Sequence, residues 1–242
     1  MTPFVAELLG TALVITLGNG VVANVVLPNT KGNNGGLISI VFGWMIAVFV
    51  GVYVTSSISG GHLNPAVTIA LASAGKFSWA LVPSYILAQL LGAMLGALVV
   101  WMVYKDHFIE CNDASAKLAV FSTGPSIRNL PQNFITETLA TMLFLIGIFF
   151  LKPAGSDLGS LSALPVALLV GGIGFGLGGP TGWAINPARD LGPRIMHFIL
   201  PIKGKGSSDW GNFSCDYLRT IFAIILQYLI FAAEIEYYGN NR

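Results

Sequence analysis

Two copies of the tripeptide Asn-Pro-Ala, Asn64-Pro65-Ala66 and Asn186-Pro187-Ala188, stand in a chain that is otherwise almost wholly apolar, and Arg189 and Asp190 directly follow the second. The chemistry open to these side chains is hydrogen-bond exchange: a carboxamide offers donors and an acceptor, and a guanidinium offers a fork of donors with permanent charge. Covalent chemistry is not indicated, because no nucleophile, base and orienting group cluster along the sequence. Neither a cofactor nor a metal is indicated. Cys111 and Cys215 fall in polar stretches with neither metal-ligand spacing nor a disulfide-rich pattern, and their redox state stays open. Asn is a favoured N-cap and Pro suits the first helical position, where no N–H is needed, so each tripeptide starts a helix.

The elements that position these residues belong to a membrane. Of 242 residues, 54% are hydrophobic and 10% charged, against about 25% charged in an ordinary soluble domain. Mean hydropathy is +0.74. The 29 glycines and 12 prolines suit helices packed closely in lipid, where small residues bring backbones together. Net charge is +1 without a basic or acidic run, which excludes nucleic acid and a polybasic lipid patch as partners and leaves the bilayer itself. The N-terminus lacks a positively charged leader and a small-residue cleavage site, so its apolar stretch reads as a retained span.

A spanning helix needs about 20 mostly apolar residues, and six stretches come close: residues 4–27, 37–56, 79–104, 134–151, 161–177 and 217–233. Two shorter apolar stretches, 65–74 and 187–200, begin at the tripeptides and read as half-helices. Irregular backbone at membrane depth is tolerated only where it is buried in protein or lines a watery cavity, so the segments entering each tripeptide face such a space. The halves also echo each other elsewhere, with Ala6-Glu7-Leu8-Leu9-Gly10-Thr11 resembling Thr136-Glu137-Thr138-Leu139-Ala140-Thr141. Three spans per half is an odd number, so the second copy enters from the opposite side and the repeat is inverted. The predicted fold is all-α: one transmembrane domain over residues 1–242, with a first repeat at about 4–104, a connecting loop at 105–133 and a second repeat at about 134–236.

The segments Ser59-Gly60-Gly61-His62-Leu63-Asn64-Pro65-Ala66-Val67-Thr68 and Gly182-Trp183-Ala184-Ile185-Asn186-Pro187-Ala188-Arg189-Asp190 resemble the two signature loops of the aquaporin family. Arg followed by Asp after the second tripeptide is similar to the aquaglyceroporin branch, the bacterial glycerol facilitators. The resemblance covers about residues 4–210. It implies a right-handed bundle of six spans and two half-helices, a pore through each monomer, a homotetramer, and a bacterial plasma membrane with both termini cytoplasmic. Carried over by spacing from the asparagines, the family's selectivity filter falls on Trp44, Gly174, Trp183 and Arg189; that branch commonly has Phe where this chain has Trp183. The resemblance further implies pore-lining carbonyls at Gly60, Gly61, His62, Gly182, Trp183 and Ala184, and central amide donors at Asn64 and Asn186. Pro65, Ala66, Pro187, Ala188 and Asp190 support the motifs, Asp190 as a structural hydrogen bonder or a determinant of pore width.

These assignments imply a passive channel for glycerol and other small neutral solutes with some water. A dehydrated solute needs donors and acceptors from the wall, while half-helix N-termini and Arg189 repel cations and protons. Trp44 and Trp183 form an apolar corner, and Gly174 leaves room beside them. Alternatives are a strict water channel, a facilitator of undissociated short hydroxy acids such as lactic acid, an ion-coupled transporter, or a junction protein with negligible flux. Glu7 and Glu137 are expected as buried braces for the half-helix loops, and His62 as a satisfied ring beside the pore. Trp79, Trp101 and Trp210 are expected as interfacial anchors. Cytoplasmic termini place Lys31, Lys105, Lys117, Arg128, Lys203 and Lys205 outside and Lys76, Lys152 and Arg242 inside, against the positive-inside tendency. The tail from residue 212 to residue 242 has one Gly and no Pro, unlike the family's usual sixth span.

Overall fold

The computed structural model describes residues 1–151 and 159–211, which form helices and connecting loops without a strand among them. In chain order the helices are α1 (Pro3–Val26), α2 (Gly36–Ser59), α3 (Pro65–Ser73), α4 (Val82–Val103), α5 (Lys105–Glu110), α6 (Ala114–Ala119), α7 (Leu130–Phe150), α8 (Leu164–Leu177) and α9 (Pro187–Ile199). Single 3-10 turns at Trp79–Leu81 and Gly159–Leu161 precede α4 and α8.

Local rules account for most boundaries. Thr2 caps α1 with Pro3 in its first turn, and α2 stops at Gly60, whose φ of 86° closes the helix in the left-handed region. Asn129 accepts from the Gln132 N–H at 3.4 Å and Pro131 occupies the first turn, so α7 starts at Leu130 and not near 134. The stretch expected as a plain loop, 105–133, also holds α5 and α6. The cause for α6 is a second cap, Asp113 accepting from the Ser115 N–H at 2.7 Å.

Among the described residues, four elements are long and apolar enough to cross a bilayer: α1, α2, α7 and the 3-10 turn with α4. Helix α8 has 14 residues, about 21 Å at 1.5 Å per residue, and falls short of a full hydrocarbon crossing of about 30 Å. The half-helices α3 and α9 have 9 and 13 residues. The expected sixth span at 217–233, together with Cys215 and the departing tail, lies outside the described residues.

Helix α1 packs against both α2 and α4; α4 also meets α9, and α2 meets α8. The α1–α4 crossing depends on glycines four residues apart. A Cβ added at Gly92 would lie 2.2 Å from the Leu8 carbonyl oxygen, and one at Gly96 would lie 2.6 Å from the Ala12 carbonyl oxygen. Backbone therefore touches backbone, the small-xxx-small solution for helices that gain little hydrophobic energy from pairing in lipid. On the outer face Val5, Leu9, Leu13 and Leu17 form an exposed stripe along α1, as a lipid-facing surface requires. Trp79 and Trp210 are exposed, while half-buried Trp101 has the Lys105 ammonium 5.7 Å from its ring centroid.

Candidate functional site

The site is assembled from the two loops that enter α3 and α9. In each, the Asn side chain turns back on its own helix: Asn64 Oδ1 accepts from the Ala66 N–H at 2.9 Å, and Asn186 Oδ1 accepts from Ala188 and Arg189 N–H at 3.1 and 3.2 Å. Pro65 and Pro187 take first-turn positions where a missing N–H costs nothing. Ala66 and Ala188 are buried and small where the two helix starts converge.

The loops share an unusual backbone. Gly60, Gly61 and Leu63 have φ of 86°, 63° and 51°; at the same offsets from the second Asn, Gly182, Trp183 and Ile185 have 86°, 40° and 39°. Glycine adopts this left-handed region freely, whereas Leu63, Trp183 and Ile185 each hold strain of about 1–3 kcal/mol that the surroundings must over-determine.

The surroundings do so through two buried carboxylates. Glu7, on α1, accepts from the His62 and Leu63 N–H groups at 3.0 and 2.7 Å, from Ser59 Oγ at 2.6 Å and from Gln89 Nε2 at 2.7 Å. Glu137, on α7, accepts from Thr181 Oγ1 and from the Ala184 and Ile185 N–H groups, the latter two at 3.2 and 3.5 Å. Each carboxylate thus holds its loop in the shape that presents the following Asn. The expected bracing role is the geometry observed.

The helix starts meet through a reciprocal pair of bonds. Asn64 Nδ2 donates to the Ile185 carbonyl at 3.0 Å, and Asn186 Nδ2 donates to the Leu63 carbonyl at 2.9 Å. Each amide has a second N–H, for which the described residues supply no acceptor, and both asparagines line the central cavity. Two donors and two helix N-termini, each carrying about half a positive charge, therefore face one small space.

That cavity encloses about 170 Å³ and is bordered by Trp44, Trp183 and Arg189, by both asparagines, and by an apolar wall that includes Phe144 and Ile148. Arg189 is 8% exposed, with its guanidinium carbon 4.3 Å from the centroid of the Trp44 ring. The stack orients the planar fork and covers one face of Trp44. Trp44 is itself set deep, since a Cβ at Gly18 would lie 2.4 Å from its ring.

Gly60, Gly61, His62, Trp183 and Ala184 border the cavity. An added Cβ at Gly182 would lie 3.2 Å from Thr123 Cγ2, and one at Gly174 would lie 3.1 Å from Trp183 Cε2 and Cζ2, so the indole packs against the space that a side chain at 174 would take.

Asp190 faces away from the solute path. Its Oδ1 accepts from the Thr123 N–H and hydroxyl at 2.8 and 2.9 Å, and its Oδ2 pairs with Arg194 at 2.8 Å. Arg194 is fully buried and donates onward to the Ser208, Asp209 and Thr123 carbonyls. This pair ties α9 to the loops at 121–126 and 207–210, the structural bonding expected of Asp190. Arg194 was legible as an i,i+4 partner of Asp190, but Thr123 was not. The His62 ring packs against Phe77 and Tyr85, which also touch each other, and its Nδ1 lies 3.1 Å from Thr68 Oγ1. Among the described residues no cluster suits a metal.

Known proteins with this arrangement are plentiful. A probable glycerol uptake facilitator of Thermotoga maritima is 53% identical over 210 residues, covering 87% of this chain and 89% of the relative. A glycerol uptake facilitator of Streptococcus pneumoniae is 48% identical over 232 residues, covering 96% and 99%. The X-ray structure of the aquaglyceroporin from Plasmodium falciparum superposes with a TM-score of 0.82 at 32% identity, covering 94% of this chain and 93% of that one. The family model for major intrinsic proteins matches residues 1–231, past the limit near 210 expected from the motifs. With caps, braces and paired asparagines in place along that length, this chain belongs to the major intrinsic protein family.

Proposed function

We propose that the protein is a multi-pass membrane channel that lets glycerol and other small neutral solutes, with some water, diffuse through a pore in each monomer. The observation that carries this reading is the mixed lining of one cavity: Arg189, stacked on Trp44, and the amides of Asn64 and Asn186 supply polar groups, while Trp44, Phe144 and Ile148 supply apolar surface. A polyol has a polar edge and a hydrocarbon edge, and such a wall replaces its lost water contacts without binding it tightly. The fixed positive ends of α3 and α9 and the Arg189 charge oppose cations and protons. Nothing in this mechanism makes or breaks a covalent bond, so the protein acts as a transporter and not an enzyme.

The same reading gives a homotetramer in a bacterial plasma membrane with cytoplasmic termini. Three of the six loop charges that oppose this orientation have structural partners of their own. Lys117 donates to the Lys203 carbonyl, Lys205 to the Phe198 and Leu200 carbonyls at the end of α9, and Arg128 pairs with Asp209 at 2.6 Å. Cationic groups at a helix C-terminus are favoured by its dipole, which accounts for Lys205 without any topogenic role.

The test is stopped-flow light scattering on proteoliposomes of the purified chain, comparing a glycerol gradient with an impermeant-solute gradient. Rapid shrinkage followed by rapid reswelling in glycerol supports the reading. Shrinkage without reswelling makes the protein a strict water channel, and faster lactic acid entry at low pH than glycerol entry makes hydroxy acids the substrate.

A further inference from the structure

The Trp183 indole is positioned by the end of α8. Trp183 stands at the position where the first loop has Gly61, with a left-handed φ of 40°, and is 6% exposed. Its indole lies along the last turn of α8 and the residue that follows it. A Cβ at Gly174 would be 3.1 Å from Cε2 and Cζ2, and one at Gly178, four residues on, would be 2.1 Å from Cε3 and 2.6 Å from Cζ3. The benzenoid half of the ring therefore occupies the volume that any side chain at 178 would need. Trp183 also lines the cavity, together with Trp44 and Arg189.

We propose that Gly178 is a specificity-determining residue, the seat that holds the Trp183 indole back from the pore and so sets which solutes pass. This rests on the channel reading above. Atoms cannot approach to 2.1 Å, so a methyl group at 178 must displace the ring or the backbone. The backbone around Trp183 is held, since the next two N–H groups bond Glu137 and Ile185 accepts from Asn64. Side-chain rotation about Cα–Cβ is the softer motion, and it carries the indole toward Arg189 and the solute path. The opening narrows in the direction that a polyol's carbon chain occupies, while water, being smaller, is affected less. An indole in this position thus depends on glycine at both 174 and 178, a dependence invisible in the filter residues alone.

The added methyl would also lie 2.5 Å from the Gly174 carbonyl oxygen, so strain at the end of α8 must be separated from ring displacement. Three proteins in proteoliposomes do this: the natural chain, Gly178→Ala, and Gly178→Ala combined with Trp183→Ala, each checked for assembly by size-exclusion chromatography and measured for water, glycerol and erythritol permeability. The expected result is that Gly178→Ala loses erythritol and glycerol flux by a much larger factor than water flux, and that removing the ring restores both. An unchanged solute-to-water ratio in Gly178→Ala overturns the proposal. So does a uniform loss that ring removal does not rescue, which would make Gly178 only a helix-end residue. If the natural chain conducts neither solute nor water, the channel reading fails instead. The seat is then judged by a structure of Gly178→Ala, in which an indole still resting on α8 overturns it and one shifted into the cavity upholds it.

Discussion

Replacing Glu7 with Gln removes one carboxylate oxygen and keeps the volume, which makes it a sharp probe of the brace under the first loop. Each oxygen of Glu7 accepts two bonds, one from a backbone N–H and one from a side chain. Wherever the new amide group points, one partner can adapt: the Ser59 hydroxyl can rotate to accept, or the Gln89 amide can turn its oxygen inward. The backbone donor cannot adapt, so either the His62 or the Leu63 N–H is left without an acceptor. An orphaned buried donor costs about 1–3 kcal/mol, and each remaining bond loses charge assistance of roughly 1 kcal/mol. Relief from burying an anion offsets part of this, giving a net loss of about 2–5 kcal/mol. For a chain of this size each kcal/mol moves a melting midpoint by about 2–4 °C, so Glu7→Gln should fall by roughly 4–20 °C in a detergent thermal-shift assay. Glycerol flux should fall as well, because Leu63 carries the carbonyl that holds Asn186. A midpoint and a flux both equal to those of the natural chain would show that the carboxylate does not fix the loop.

Other outcomes follow from the same geometry. Asp190→Ala leaves the Arg194 charge buried without its carboxylate, and should destabilise the protein by about 3–5 kcal/mol, read as a lowered midpoint with Arg194 intact. Arg189→Val should raise proton leak, followed with a pH-sensitive dye inside liposomes, since it removes the charge stacked on Trp44; unchanged leak would assign the barrier to the half-helices alone. Gly92→Val should abolish recovery of assembled protein, because even its first carbon would lie 2.2 Å from the Leu8 carbonyl oxygen. Outside the membrane, hydrogen bonds from Ser115 hold the Asp113 carboxyl below its ordinary 3.8. The cap therefore contributes above the unfolded value and is lost as pH falls through the folded one. The midpoint difference between the natural chain and Asp113→Ala should be present at neutral pH and vanish in strong acid.

Much of this was legible in one dimension because the deciding signals are local. Asn-Pro-Ala encodes a helix start in three residues, apolar runs encode spans by length, and a tripeptide repeated across an odd number of spans encodes inversion. Glu7 and Glu137 could be read as braces because a buried carboxylate needs donors and the loops that follow have free N–H groups. What the sequence could not place is whatever depends on two distant segments meeting. The reciprocal bonds between Asn64 and Ile185 and between Asn186 and Leu63 span more than 120 residues, and nothing at those positions names its partner. Gly174 reads as room in the wall, and only the fold shows the Trp183 indole resting against it, as it shows Thr123 packed beside Gly182. Composition, periodicity and capping thus determined four of the spans, the half-helices and the polar centre. Tertiary packing alone decided which glycines make room for solute and which make room for tryptophan, because that depends on where another segment's side chain comes to rest.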